Sequence, residues 1–483
     1  MSLIFILIPF IASAILLLLR PAGLSRQMAL VASLANLAAT LYCLTCDYSQ
    51  GMNCTYSVPW VASAGISFSL GMDGITLLML VLTNLLAPLI ILSSWGRTFD
   101  NEPRYYGLIL LMLGALNGVF LAQDGLLFYV FYELALIPIY FICAIWGGQD
   151  RIRITLKFFI YTFVGSLFML VALLWVYLQT NLNGQHSFAW ADLVQVQLDP
   201  GTANWVLLGF FIAFAVKMPV FPLHTWQPDT YVTSPTGGTM LLSGIMLKMG
   251  AYGVIRWMIP LAPEAMHTMN PIFISLAVFG ILYASIIAVK QSDIKRLVAY
   301  SSIAHVGLIA AGILAWNKAG VQGGIIQMLN HGINVVGLFF VVDLLERRLG
   351  TRSLADMGGI AKSAPKFATL FMIIVLGSVA VPLTNGFPGE FLLLNGVWNY
   401  NFWLGVLAGL TIIFGAVYML RAYGLVVFGE TKPQTENFAD LDSREFLVLG
   451  IIAGLVIVLG FFPQAVLNLT DLSVDRILRA VQL

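Results

Sequence analysis

Six titratable residues stand inside long apolar runs: Glu133, Lys217, Lys248, His305, His331 and Glu390. Burial disfavours the charged form of both lysine and glutamate, and histidine titrates near neutrality unaided. A set of this composition suits proton exchange. Other chemistries lack their residues: there is no nucleophile–base pattern, no phosphate-binding loop and no dinucleotide fingerprint, and Gly237-Gly238 and Gly323-Gly324 read as packing or turn residues. Cys43 and Cys46 have C-x-x-C spacing on an apolar stretch with no second ligand pair nearby. Cys54 and Cys143 complete no framework, and the five histidines show no H-x-x-x-H spacing. No metal or cofactor is expected in this chain.

The six residues are costly where they stand. A charge at the centre of a spanning helix opposes insertion by roughly 2.5–3.5 kcal/mol, so two lysines and two glutamates sum to about 10 kcal/mol before pairing. They must pair, face a hydrated cavity, or both. A file of Glu, Lys, Lys, His, His and Glu joined by water makes a proton wire; the bland alternative is a set of internal salt bridges that only fix helix packing. At about 4 Å and an effective dielectric near 20, a Glu–Lys contact is worth roughly 4 kcal/mol, or about a thousandfold in the lysine's proton affinity. A Glu133–Lys217 pair would therefore hold the lysine proton when closed and release it when open.

The backbone around these residues is interrupted. Lys217 lies in AFAVKMPVFPLHTW, followed by Pro219 and Pro222. Glu390 lies in VAVPLTNGFPGEF, among Pro382, Pro388, Gly386 and Gly389. Proline removes a backbone donor, and within a bilayer such breaks are tolerated where the backbone packs on protein or lines a cavity. Paired broken helices point to a transport pathway.

Composition sets the frame for these segments. Of 483 residues, 59% are hydrophobic and 10% charged, against roughly 25% charged in soluble domains, and mean hydropathy is +0.90. This excludes a water-soluble enzyme. The near balance of 24 Lys+Arg with 23 Asp+Glu leaves no basic patch for nucleic acid. Spans of about 20 apolar residues are expected near 3–19, 27–46, 74–95, 105–122, 125–146, 155–179, 204–223, 237–259, 270–289, 297–316, 321–345, 366–395, 402–428 and 446–468. The fold class is thus an all-α polytopic membrane protein of about fourteen helices, a single domain over 1–483, with helices 7 and 12 broken.

A weak repeat runs through it. Glu133 to Lys217 is 84 residues and His305 to Glu390 is 85, and Ala251-Tyr252-Gly253 recurs at Ala422-Tyr423-Gly424. The offset covers five helices, which predicts inverted repeats of helices 4–8 (about 105–259) and 9–13 (about 270–428). Lys and Arg divide eighteen to four between the two faces, with Arg256 and Lys318 among the four. By the positive-inside rule both termini are expected on the non-cytoplasmic side. Leu3–Leu19 has no basic residue before it and is expected to be a span rather than a cleaved signal. Asp343 and Arg421, near helix ends, are expected to snorkel to the interface.

Three segments carry a family resemblance: KMPVFPLHTWQPDTYVTSPTGGTMLLSGIMLKMGAYG (217–253), DIKRLVAYSSIAHVG (293–307) and QMLNHGINVVGLFF (327–340). They resemble the antiporter-like membrane subunits of respiratory complex I, a superfamily that includes subunits of multi-subunit sodium/proton antiporters. Other members generally carry a lysine in broken helix 12. Glu390 at that place, with no long lateral helix after Leu483, is similar to the chain M type (chain 4 in mitochondria) of NADH:quinone oxidoreductase. The lack of a presequence fits a bacterial inner membrane.

The resemblance implies roles. Glu133 and Lys217 resemble the coupled ion pair, Lys248 the central proton carrier, His305 and His331 the link between half-channels, and Glu390 the residue nearest the outward half. His224 and Tyr300 are polar neighbours with a packing role equally open. FMN, iron–sulfur clusters and quinone are implied to belong to other subunits. The implied partners are the other complex I membrane subunits, including neighbouring antiporter-like ones, together with lipid, protons and water. A sodium/proton antiporter subunit and a non-pumping structural subunit are the alternatives.

Overall fold

The computed structural model describes residues 1–20, 23–48, 51–181 and 184–481. Helices dominate. The first group comprises α1 (Ile4–Leu19), α2 (Ser25–Cys43) and α3 (Gly74–Ser94). A second runs α4 (Glu102–Leu121), α5 (Gly125–Trp146, with a turn at Ala135), α6 (Arg151–Gln179), α7 (Pro200–Lys217), α8 (Gln227–Thr233) and α9 (Thr236–Leu261). A third repeats that order as α10 (Met266–Val289), α11 (Ile294–Leu314), α12 (Lys318–Leu349), α13 (Pro365–Ser378), α14 (Gly386–Tyr400) and α15 (Phe402–Val427). The chain closes with α16 (Ser443–Phe461) and α17 (Pro463–Ala480).

Among the described residues, eleven helices are long and apolar enough to cross a membrane, while α1 and α13 are apolar but shorter. Helices occupy the expected spans, with α7 ending inside the one at 204–223, α8 following after the break, and α13/α14 sharing the one at 366–395; α2, over the one at 27–46, is not among the eleven. Their ends are set by polar caps, which satisfy amide donors that the helix itself leaves unpaired. The Asp124 side chain accepts from the amides of Leu126 and Leu127 at α5, Asp199 caps α7, Asp293 caps α11, and Asn317 caps α12.

Burial is uneven and informative. Helices α9 and α12 are enclosed along their whole apolar length, with α11 nearly so, whereas α6, α15 and α16 turn most of their surface outward. Glycines let the central pair approach: a Cβ on Gly244 of α9 would stand 2.7 Å from Val336, and one on Gly332 of α12 would stand 2.8 Å from the Gly244 carbonyl. Small residues at such crossings allow close backbone packing in membranes, and this crossing brings Lys248 of α9 within reach of His331 of α12.

Four features differ from the sequence expectation. The linker from Asp47 to Asp73 contains an antiparallel hairpin, β1 (Asn53–Val61) and β2 (Ile66–Met72), because β-branched and aromatic residues alternate with small polar ones there. The last span ends at Phe461 rather than continuing to 468. Pro463 starts α17 there, an amphipathic helix that buries Val466, Thr470, Ser473, Val474 and Ile477 along one face against α3 and α12.

The third difference concerns charges expected outside the membrane or at its rim. Arg256 is buried and pairs with Asp73 at 2.9 Å. Lys295 is buried and donates to the Ser234 carbonyl at 2.9 Å. Asp343 does not snorkel but pairs with Arg97 (2.5 Å) and Arg347 (2.9 Å). These helix ends lie beneath neighbouring segments, so the charges find partners instead of water. Lastly, the helix breaks recur 161 residues apart, at Lys217 and Ser378. Lys217 therefore closes the half-helix before its break, while Glu390 lies in the second turn after the other break. The spacing of similar chemistry is not the spacing of equivalent backbone positions.

Candidate functional site

Helix α12 presents Gln327, Asn330, His331 and Asn334, all buried, at i, i+3, i+4 and i+7. That spacing aligns them on one face. Helix α11 presents Ser301, Ser302 and His305 toward this stripe, α14 contributes Glu390 from just beyond its break, and α9 contributes Lys248. Lys248 sits between two π-helical turns, Leu242–Met246 and Val254–Met258, a backbone irregularity frequent at functional sites.

The contacts form a file. The Lys248 ammonium donates to the Ser243 carbonyl at 2.6 Å and lies 3.0 Å from His331 Nδ1. The His331 and His305 ring centroids are 6.1 Å apart. His305 Nδ1 lies 2.9 Å from Glu390 Oε1, and Gln327 Nε2 donates to the same oxygen at 3.3 Å. Both imidazoles thus use Nδ1 for a titratable partner. Their Nε2 atoms have no protein partner, and neither do Ser302 Oγ, Gln327 Oε1 and Asn334 Oδ1. All five of these residues line one cavity between the rings, which leaves about 10 Å³ for the centre of a water molecule. That is room for one water with several polar partners.

Glu133 and Lys217 stand apart from this file. The Lys217 ammonium is buried without a hydrogen-bond partner and lies 5.0 Å from the Tyr132 ring centroid, a distance at which a cation is attracted by the ring face. Glu133, half-buried on α5, has Ser166 and the Lys217 charge as neighbours. The closed Glu133–Lys217 pair expected from the sequence is not made in this conformation: the lysine is held by the aromatic face one residue away. Lys217 and Lys248 share no hydrogen bond either. The six residues are therefore arranged as four plus two.

His224 is buried against Phe221 and Tyr283, and Tyr300 lies under the Arg296 guanidinium at 6.0 Å. Neither joins the file. Sequence reasoning did not single out Gln327, Asn334, Ser302 or Tyr132. For the first two a signal was present, since QMLNHGIN places four polar residues on one face of an otherwise apolar helix. For Tyr132 there was none.

Residues 122–415, which contain all six titratable groups, match the family model described as NADH:quinone oxidoreductase/Mrp antiporter, TM. The chain belongs to this family. Among curated relatives it is 42% identical over 422 residues to NADH-quinone oxidoreductase subunit M of Rickettsia conorii, covering 87% of this chain and 85% of the relative. It is 40% identical over 462 residues to the subunit M of Rickettsia prowazekii, covering 94% and 93%. Among solved structures, a chain of respiratory complex I from Thermus thermophilus matches with a TM-score of 0.92 and 33% identity, with both chains covered in full. The four-residue file, the two broken helices and the enclosed α9–α12 pair are thus features of a member of this antiporter-like membrane family.

Proposed function

We propose that the chain is the proton-translocating subunit M of a bacterial NADH-quinone oxidoreductase. The observation that carries this reading is the buried file Lys248–His331···His305–Glu390, with its two carrier-facing Nδ1 atoms and its polar cavity. The resemblance to subunit M over nearly the whole chain supports it.

The geometry allows a balanced sequence of transfers. Lys248 gives a proton to His331 Nδ1, and His331 releases one from Nε2 to a water in the cavity. That water protonates His305 Nε2, and His305 Nδ1 delivers a proton to Glu390. Every donor is left ready for reloading after a ring tautomer shift. Lys217, held over the Tyr132 ring and near Glu133, stands beside the file as a second buried titratable site.

Driving each charge against the membrane potential costs about 2.3 kcal/mol per 100 mV. That energy comes from redox chemistry in other subunits, where FMN, iron–sulfur clusters and quinone belong. The outward faces of α6, α15 and α16 are available to lipid and to neighbouring membrane subunits. The same reading puts the chain in the bacterial inner membrane with both termini on the non-cytoplasmic side, which its Lys and Arg distribution supports.

The test is Lys248→Ala in the assembled complex reconstituted into liposomes, with NADH oxidation and proton uptake measured together. The expected result is a reduced number of protons moved per NADH oxidised. An unchanged ratio in a fully assembled complex would assign the chain a structural role instead.

A further inference from the structure

Three of the four cysteines converge on the face that carries the hairpin. Cys43 is the last residue of α2, and Cys46 follows in the turn where its amide donates to the Cys43 carbonyl at 3.2 Å. Cys54, on β1, comes from a different part of the chain, yet its thiol is an electrostatic neighbour of both the Cys43 and the Cys46 thiols. An independent clamp fixes this approach. The Tyr48 hydroxyl donates to the Cys43 carbonyl at 3.0 Å and lies 3.2 Å from Met72 Sδ. Met72 in turn is the cross-strand partner of Asn53, the residue before Cys54.

Cys54 also has a φ of +52°, in the left-handed region that side chains other than glycine rarely adopt. Such a conformation persists where surrounding contacts over-determine it. Its amide is held by the Asn53 side chain at 2.6 Å, so the backbone is turned in a way that presents the thiol to the end of α2. Cys143 is far from this group and pairs with Ser234 Oγ at 2.9 Å.

The compartment is consistent with oxidation. The segment from Leu44 to Asp73 contains no lysine or arginine, whereas Arg20, Arg26, Arg97 and Arg104 stand at the opposite ends of the flanking helices. That distribution places the hairpin on the non-cytoplasmic side, where disulfides form and persist.

We infer that Cys54 closes a disulfide onto the C-terminal end of α2, through Cys43 or Cys46, and staples the hairpin to the helix bundle. The step balances as thiol–disulfide exchange with an oxidised dithiol protein of that compartment. A half-buried thiol, Cys54 or Cys46, attacks the oxidant's disulfide and forms a mixed disulfide. A neighbouring thiolate from the trio then attacks that cysteine's sulfur, releasing the oxidant as a dithiol that has gained two electrons and two protons. The inference does not depend on proton translocation by this chain.

The native complex tests it without any variant. The protein is denatured in excess N-ethylmaleimide, so that every free thiol, buried Cys143 included, is blocked, and the chain is digested with chymotrypsin without reduction. Cleavage after Tyr48 separates Cys54 from Cys43 and Cys46. The expected product is a peptide pair joined through Cys54 that is split by reductant, with two of the four cysteines blocked before reduction and Cys143 among them. Four blocked cysteines, or a bond between Cys43 and Cys46 alone, would overturn the inference.

Discussion

His305 Nδ1 lies 2.9 Å from Glu390 Oε1, with both side chains buried, and this contact joins α11 to the far side of a helix break. A hydrogen bond to a charged group contributes about 1.5–3 kcal/mol. Glu390→Gln keeps the shape but removes the proton acceptor and the charge. Proton translocation is expected to fall about tenfold or more, with NADH oxidation less affected and assembly intact, as read by dye quenching in reconstituted liposomes alongside native gels. Translocation at the wild-type ratio would remove Glu390 from the pathway.

Lys217 depends on an aromatic face rather than a carboxylate in this conformation. Cation–π contacts are worth about 0.5–2 kcal/mol. Tyr132→Phe retains the ring and loses only a 3.3 Å hydrogen bond to the Ala213 carbonyl, so it should pump nearly as wild type. Tyr132→Leu loses the face and should lower the translocation rate about two- to thirtyfold. Equal effects of the two substitutions would show that the hydroxyl, not the ring, matters.

Asp73 does two jobs at one helix start. One oxygen accepts from the Thr76 amide and the other holds the buried Arg256, each at 2.9 Å. Removing one member of a buried pair costs about 3–5 kcal/mol because the other charge is left uncompensated. Asp73→Asn should preserve the cap yet lower the thermal stability of the purified complex. Adding Arg256→Gln should restore most of the loss. No recovery in the double variant would mean that the pair itself, rather than the stranded charge, carries the stability.

The C-terminal helix supplies a pH-dependent contact. Lys318 lies 2.8 Å from Asp471 and 2.9 Å from Asp475, and the hydrogen bond from Lys318 holds the Asp471 carboxyl below its ordinary pKa. A carboxyl whose folded pKa is lowered contributes stability above its unfolded value, near 3.9, and loses it as the pH falls through the folded value. Hydrogen exchange in α17 should therefore be flat between pH 8 and 5 once corrected for intrinsic rates, rising only below about pH 4. These side chains are largely exposed, so Lys318→Ala should change overall stability by about 1 kcal/mol or less. Loosening of α17 between pH 7 and 6 would point to a different titrating group.

Much of the site was legible before any coordinates. Charged residues in apolar runs are conspicuous because hydrocarbon penalises them, and prolines beside Lys217 and Glu390 announce broken helices because they lack an amide donor. The supporting polar residues of α12 were readable in principle from helical periodicity. Tyr132 under Lys217, the Tyr48 clamp between Cys43 and Met72, and the burial of Arg256 against Asp73 were not, because each joins residues on different elements and no local pattern records that distance.

The amino-acid sequence alone determined that this chain is a helical membrane protein, where its helices break, and which titratable side chains stand in its apolar runs, since these follow from hydropathy, backbone donors and residue type. Only the tertiary structure decided which of those side chains meet. It placed Lys248, His331, His305 and Glu390 in one file and left Glu133 and Lys217 beside it. Helix rotation and glycine-mediated approach set that difference, because a hydrogen bond is made or lost within about an ångström.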